Sequence, residues 1–529
     1  MNEIELLIAL LGVVAAISWL ARALGVPYPI FLVLAGLGIG FLPGLPPLEV
    51  DPDVIFLVFL PPLVHAAAWT ASPRQLKANA RTVSLLAVGL VLATTAAVAT
   101  VAHALLPELA WGPALVLGAI VSPTDTVAAT AIFRRLGVPE RVVSVIEGES
   151  LINDGASLVI YRVAVVAVAT GAFTVGGTLG NLLLVGAGGA LLGLAVAIVI
   201  AQVRRRVEDA TIEITVTLLT PYLAFLPAEE LGLSGILAAV SSGLYLGWRA
   251  ARDFNASTRL QAYGFWGVLI FVLESTLFIL IGLQVPDVLA ALSGEPVGRL
   301  ALAAALVVSV VIAVRIVFQF TVGSLEERWD RRRGRADALG WRERAVVGWS
   351  GMRGAVSLAA ALSLPLATAS GAPFPGRDLI LFLTIAVIGV TLLVQGLTLP
   401  LLVRRLGVEV EPSASGRDKA LTRFRTVEAA LERIADLSFE DGGQSPSVER
   451  AREMYAIRAQ QLSGACRTGV PDSDDSDVAT WTRLRRELLG VERSALLDLR
   501  DEGKVNVGVV REVERDLDLE EERLKRAAP

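Results

Sequence analysis

Ten ionisable side chains stand inside stretches of this sequence that are otherwise apolar: His65, Asp125, Glu147, Glu149, Asp154, Arg162, Glu213, Glu274, Arg315 and Arg353. An Asp, Lys or Arg at bilayer depth costs roughly 2.5–3.5 kcal/mol on insertion scales, so such residues persist where they pair, line a wet cavity or handle an ion. Arg162 and Glu213 lie near the ends of their stretches, from which a long side chain reaches the interface. Most of the others gather in two clusters. The first is Val121-Ser122-Pro123-Thr124-Asp125-Thr126-Val127. Proline removes a backbone donor and disfavours helix at the residue before it, which predicts a break near Ser122–Asp125. Freed carbonyls, the Thr124 hydroxyl and the Asp125 carboxylate would form a hard-oxygen site for a small cation. Asp125 can also cap the helix that restarts after Thr126.

The second cluster is Glu147-Gly148-Glu149-Ser150-Leu151-Ile152-Asn153-Asp154-Gly155. Helical spacing puts Glu147, Ser150 and Asp154 on one stripe, with Glu149 and Asn153 beside it. These acids need cations, and Arg315 and Arg353 are the deep basic residues of later stretches. Two arginines can neutralise two of the four acids in the clusters and leave two over. In general, burial favours a carboxylate's protonated form and a bound cation its ionised form. An acid free of arginine therefore holds either a proton or a metal ion, but poorly both, and that exclusion suits exchange of one for the other. The plainer reading is that the acids only form ion pairs with Arg315 and Arg353.

The elements that position these residues follow from charge distribution. Of the 529 residues, 54% are hydrophobic, and 46 of the 99 Asp, Glu, Lys and Arg fall in residues 409–529. Long, nearly uncharged runs recur before that point, as in Ile30–Leu48, Val83–Pro107 and Ala172–Val203, each able to span ~30 Å of hydrocarbon. This excludes a soluble enzyme, a disulfide scaffold and, at a net charge of −5, a nucleic-acid partner. Cys466 is the single cysteine, so no Cys-based metal site is expected. Thirteen spans are predicted, near 4–21, 28–44, 54–70, 82–106, 113–133, 143–169, 178–203, 211–227, 232–247, 263–285, 298–322, 345–367 and 378–403. Connections after odd-numbered spans carry 22 Lys and Arg, including Arg74, Lys77 and Arg81, against Arg299 and Arg377 in the others. By the positive-inside rule the N-terminus lies outside and the tail in the cytoplasm. Met1-Asn2-Glu3-Ile4-Glu5 lacks the basic start of a cleaved signal and reads as the lip of the first span. The tail predicts helices over Asp418–Leu437, Ser447–Leu462, Val478–Leu499 and Val509–Arg526, with loops at Gly442–Pro446 and Pro471–Asp477.

With Gly351-Met352-Arg353-Gly354-Ala355, and the stretch from Tyr222-Leu223-Ala224-Phe225 to Gly232-Leu233-Ser234-Gly235-Ile236-Leu237-Ala238, the two clusters resemble signatures of the monovalent cation:proton antiporter family, to which sodium/proton exchangers belong. The resemblance covers about residues 1–405 and leaves residues 406–529 as a cytosolic, charged, helical tail of regulatory character. It implies an all-α, polytopic inverted-repeat domain working as a homodimer. In it, a core with two broken, crossing helices moves against a dimerisation domain. Asp154 would match the family's ion- and proton-binding aspartate, and Asn153 before it would imply electroneutral, one-for-one exchange. Asp125, Thr124 and Ser150 match residues that ligate the cation or shape its site; Glu149 with Arg315, Arg353 and Glu147 are supporting charges. One departure stands in Leu60-Pro61-Pro62-Leu63-Val64-His65-Ala66, where many relatives carry an acid in place of His65. His65 then reads either as a proton-sensitive neighbour of the site or as a hydrogen-bonded packing residue. Glu274 reads as a cavity or interface residue.

The expectation is a non-enzymatic, cofactor-free antiporter of the bacterial inner membrane, serving pH homeostasis. Na⁺ would bind at Asp154, Asp125, Thr124 and Ser150 with water; K⁺ and Li⁺ stay open, and Mg²⁺ is disfavoured because it dehydrates reluctantly. Membrane lipid and a second copy are the other expected partners, and the tail's partner is left open. Rival readings are a K⁺/H⁺ antiporter, a sodium-coupled symporter of an organic anion, and a membrane sensor signalling through the tail.

Overall fold

The computed structural model describes residues 3–24, 27–42, 51–71, 85–170, 175–207, 209–253, 256–332, 339–408, 412–440 and 446–468, and then 484–485, 487–496, 513, 516–517 and 519–521. Helices carry nearly all of the ordered backbone, with one isolated bridge between Ala367 and Pro373. Hydrocarbon offers backbone groups no partner, so apolar segments of this length close their own hydrogen bonds as helices. In chain order they are α1 (Glu3–Leu24), α2 (Tyr28–Gly40), α3 (Pro52–Thr70), α4 (Leu90–Leu105, after a π turn at Leu85–Gly89), α5 (Trp111–Val121), α6 (Val127–Leu136), α7 (Glu140–Thr170), α8 (Val175–Arg204), α9 (Ala210–Glu230), α10 (Gly235–Asp253), α11 (Ala256–Ala291), α12 (Val297–Arg332), α13 (Trp341–Trp349), α14 (Ala355–Leu362), α15 (Arg377–Val390) and α16 (Gly396–Leu406, after a π turn at Thr391–Gln395).

Eight described helical segments are long and apolar enough to cross a membrane, and Leu10–Ala21, Tyr28–Gly40 and Trp111–Val121 are shorter apolar helices. Two predicted spans are interrupted. The first stops at Val121 and restarts at Val127; the second stops at Trp349 and restarts at Ala355. Pro123 accounts for the first stop, and Asp125 Oδ1 starts the next helix by accepting the Val127 N–H at 2.8 Å, so the capping role read from the sequence is present. α6 then ends on Gly137, whose φ of 66° is left-handed.

Within residues 1–409 the helices sort into two packing groups. Helices α1–α3 and α8–α11 pack chiefly with one another, as do α4, α5, α7, α12, α13 and α15. The seam between the groups is crossed by α3 against α14 and by α11 against α14 and α15. Close approach inside the first group depends on small residues: a Cβ on Gly36 of α2 would stand 2.3 Å from the Ile279 carbonyl oxygen of α11.

Residues 410–529 form a separate unit. Helices α17 (Pro412–Glu440) and α18 (Pro446–Thr468) pack along each other. Further on, Leu489, Leu496 and Leu517 form a small cluster, with Arg485 bound to Glu492 and Glu520. The expected helix at Val478–Leu499 is helical over 487–496, while most of Val509–Arg526, the loop Pro471–Asp477 and the basic residues Arg74, Lys77 and Arg81 lie outside the described residues.

Candidate functional site

The two interruptions lie against each other. The Asp125 N–H donates to the Met352 carbonyl at 2.8 Å, and Arg353 Nε donates to the Val121 carbonyl at 2.9 Å. Arg353 also donates to the Gly351 carbonyl, and its own N–H donates to Thr391 Oγ1. A fully buried guanidinium thus serves carbonyls that the broken helices leave free, at a C-terminal helix end where positive charge is favoured. The sequence reading expected Arg353 to face an acid. Its contacts here are backbone oxygens.

Helix α7 fixes the first interruption from the side. Ser150 Oγ donates to the Thr124 carbonyl at 2.7 Å, and Asn153 Nδ2 donates to Thr124 Oγ1 at 2.8 Å, leaving the buried Asn153 Oδ1 without a partner among the described residues. One turn on, Asp154 is 8% exposed, and its carboxylate makes no hydrogen bond or ion pair among the described residues. Glu149 is different: Arg315 Nη1 reaches it at 2.5 Å, with both side chains buried, and Arg315 also donates to the Val347 carbonyl. A paired buried charge is structural here, since removing one partner of such a pair strands the other at a cost of about 3–5 kcal/mol.

Asp154, Asp125, Thr124, Ser150 and Glu274 line one cavity of about 360 Å³ between the packing groups. Glu274 of α11 is buried and accepts the Tyr28 hydroxyl at 2.8 Å. The buried Ser357 hydroxyl also lines the cavity and has no partner among the described residues; its sequence signal is its place in the first turn after Gly354. The cavity reaches exposed residues at Thr70 and Tyr263, which adjoin Arg-bearing connections, and at Val127, which opens the helix leading to Arg134 and Arg135. Among the described residues, no Lys or Arg lines it.

Three further placements differ from the sequence reading. Glu147 is not deep: it lies two turns into α7, half-exposed at the cavity mouth, and accepts from Arg134 at 3.2 Å. Glu213 does not reach for the interface; it is buried with Arg204 at 3.1 Å. Arg162 pairs with Glu229 of α9, a partner too distant in sequence to foresee. His65 has two readings, and its contacts are those of packing. It is 1% exposed, stacks against Trp266 at 5.6 Å, and has Nδ1 3.2 Å from the Ala239 carbonyl and 3.0 Å from Ser242 Oγ. A carbonyl only accepts, so Nδ1 carries the proton. His65→Asn, which keeps a donor there, should leave cation-driven proton flux within about twofold, whereas His65→Leu should lower stability by about 0.5–1.5 kcal/mol in thermal unfolding by removing that hydrogen bond, since the Ser242 hydroxyl still serves the Ala239 carbonyl at 2.8 Å.

The family model described as sodium/hydrogen exchanger, transmembrane, matches residues 7–405. The chain belongs to the sodium/hydrogen exchanger family. An uncharacterized Na⁺/H⁺ exchanger of Mycobacterium bovis is 37% identical over 529 residues, covering 98% of this chain and 95% of its own. The sodium, potassium, lithium and rubidium/H⁺ antiporter of Bacillus pumilus is 32% identical over 408 residues, 75% of this chain and 60% of its own. In fold, the sodium proton antiporter of Methanocaldococcus jannaschii superposes with a TM-score of 0.62 at 19% identity, over 76% of this chain and 98% of that one. This exchanger is accordingly an all-helical, multi-pass membrane protein whose family transports a cation against a proton.

Proposed function

We propose that the protein exchanges Na⁺, or another monovalent cation, for H⁺ at Asp154, one for one and without net charge movement. The observation that carries this is the unpaired Asp154 carboxylate, buried yet lining a cavity, beside a Glu149 that is neutralised by Arg315. In this reading the cation is held by Asp154 and Asp125 with Ser150, oxygens of Thr124 and water. Asn153 positions Thr124 through its Nδ2 donation to the Thr124 hydroxyl. Either guest neutralises Asp154 and lets the core cross; the empty, charged form meets a desolvation penalty and stays.

The remaining architecture is proposed on the same footing. Thirteen spans form an inverted-repeat domain over residues 1–405, with the two interruptions as its crossing broken helices. The α1–α3 and α8–α11 group is the dimerisation domain of a homodimer in the lipid bilayer of a bacterial inner membrane. The N-terminus is outside, and residues 406–529 form a cytoplasmic regulatory tail. The cavity mouth among the Arg-bearing connections then faces the cytoplasm. Glu274 contributes a further carboxylate to that route. Such exchange would serve pH homeostasis.

A second reading, K⁺ or Li⁺ in place of Na⁺, is favoured by the cations in the name of the Bacillus pumilus relative. Symport of an organic anion finds no support in a cavity whose described lining holds no Lys or Arg. The test is recovery of a trapped pH dye in proteoliposomes on adding Na⁺, K⁺ or Li⁺. At least one should drive proton flux, and the order of apparent KM values ranks them; an inserted, folded protein indifferent to all three would overturn the proposal.

A further inference from the structure

We infer that Arg162 and Glu229 form a latch that holds the exchanger open toward the Arg-bearing side, and that it must break each time the ion site turns to the other face. The inference rests on the exchange reading above. Arg162 belongs to α7, the helix that carries Asp154, and α7 packs chiefly with α5. Glu229 belongs to α9, which packs chiefly with α8 and α10 in the other group. The ion pair therefore crosses the seam along which the two groups would slide.

Its position decides which state it favours. Arg162 lies eight residues beyond Asp154, about 12 Å further along α7. The cavity mouth lies the other way, toward Glu147. Glu229 closes α9 at the end opposite the Arg204–Arg206 connection, so the pair stands on the far side of the ion site from the mouth. Glu229 is fixed there independently, because its Oε1 also accepts the Gly235 N–H at 2.9 Å and so caps α10. The side chains are 35% and 18% exposed, enough for water to reach the pair and for it to exchange partners during a cycle. Helix α7 cannot shift along α9 and α10 while Arg162 keeps Glu229.

The test places a single cysteine at the mouth, Thr130→Cys in a Cys466→Ser background, and follows labelling by a membrane-impermeant maleimide from the Arg-bearing side of proteoliposomes. Glu229→Gln keeps the acceptor for Gly235 and removes the charge, so the cap survives. It should slow labelling and raise the apparent KM for the cation on that side by the same factor, about three- to tenfold, as the population moves to the opposite-facing state. Arg162→Gln should match it, Arg162→Lys should recover most of the difference, and the double variant should do no more than either single one, since one latch cannot be lost twice. Unchanged labelling and KM in both single variants, or effects that add in the double, would overturn the latch. If the parent protein moves protons in response to cations while these variants behave like it, the latch alone fails. If the parent itself drives no exchange, the reading beneath it fails too.

Discussion

Asp154→Asn is expected to bring cation-driven proton flux to the background of empty vesicles, a loss of at least about a hundredfold, while leaving the protein folded. The two side chains have the same size, and the native carboxylate makes no hydrogen bond or ion pair among the described residues, so the substitution breaks no contact there. What disappears is the capacity to exchange a proton for a cation. An isolated buried charge is unfavourable in itself, so the midpoint of thermal unfolding should hold steady or rise. Glu149→Gln is the contrasting case. It removes a charge of the same sign five residues earlier but strands Arg315, and should lower stability by about 3–5 kcal/mol. Competition also has a signature in the unaltered protein. If one proton leaves for each cation bound, the apparent KM for the cation should rise about tenfold for each unit by which the pH falls, wherever the site is mostly protonated. A fully active Asp154→Asn protein, or a KM indifferent to pH, would remove Asp154 from the mechanism.

The parts of the site that could be read from sequence are those whose physics is local. Pro123 cannot donate to the preceding turn, so the first interruption and the Asp125 cap follow from a few neighbouring residues. The second interruption, at 350–354, contains no proline. Its local signal is Gly351 and Gly354 on either side of Arg353, and it was expected only through family resemblance. Charge counting paired two arginines with two acids, but that arithmetic ignores backbone oxygens, and Arg353 is held by the carbonyls that the helix breaks release. Glu147 was misplaced because the stripe argument took its whole stretch as buried in hydrocarbon. α7 begins at Glu140, and Glu147, two turns in, stands half-exposed at the cavity mouth while Val142, Val143, Val145 and Ile146 are buried. Arg162–Glu229 and Arg204–Glu213 show the remaining limit: which charge meets which across a helix seam depends on packing, and spacing along the chain does not encode it.

Gly354→Ala should eliminate exchange as completely as Asp154→Asn, by a steric route. A Cβ at this position would lie 1.6 Å from Asp125 Oδ2 and 2.6 Å from Asp125 Cβ, far inside contact distance. Asp125 cannot retreat, because its N–H is bound to Met352 and its carboxylate to the Val127 N–H. Nor can the backbone at Gly354, since Arg353 ties it to Val121 and Thr391. The crossing must open, and with it go the placement of the Asp125 carboxylate and the hydrogen bonds that satisfy both helix ends. Thermal unfolding should move down sharply, by several kcal/mol as for severe overpacking of a tight core. Gly389→Ala is the matched control in α15, where a Cβ meets nothing within 4 Å and helix propensity gains up to about 1 kcal/mol. The clash and the chemistry separate in a double variant: adding Asp125→Gly to Gly354→Ala removes the obstructing atoms and should return part of the lost thermal stability, yet no exchange. Recovery of transport in that double variant would mean that Asp125 gives the site its shape and not a ligand.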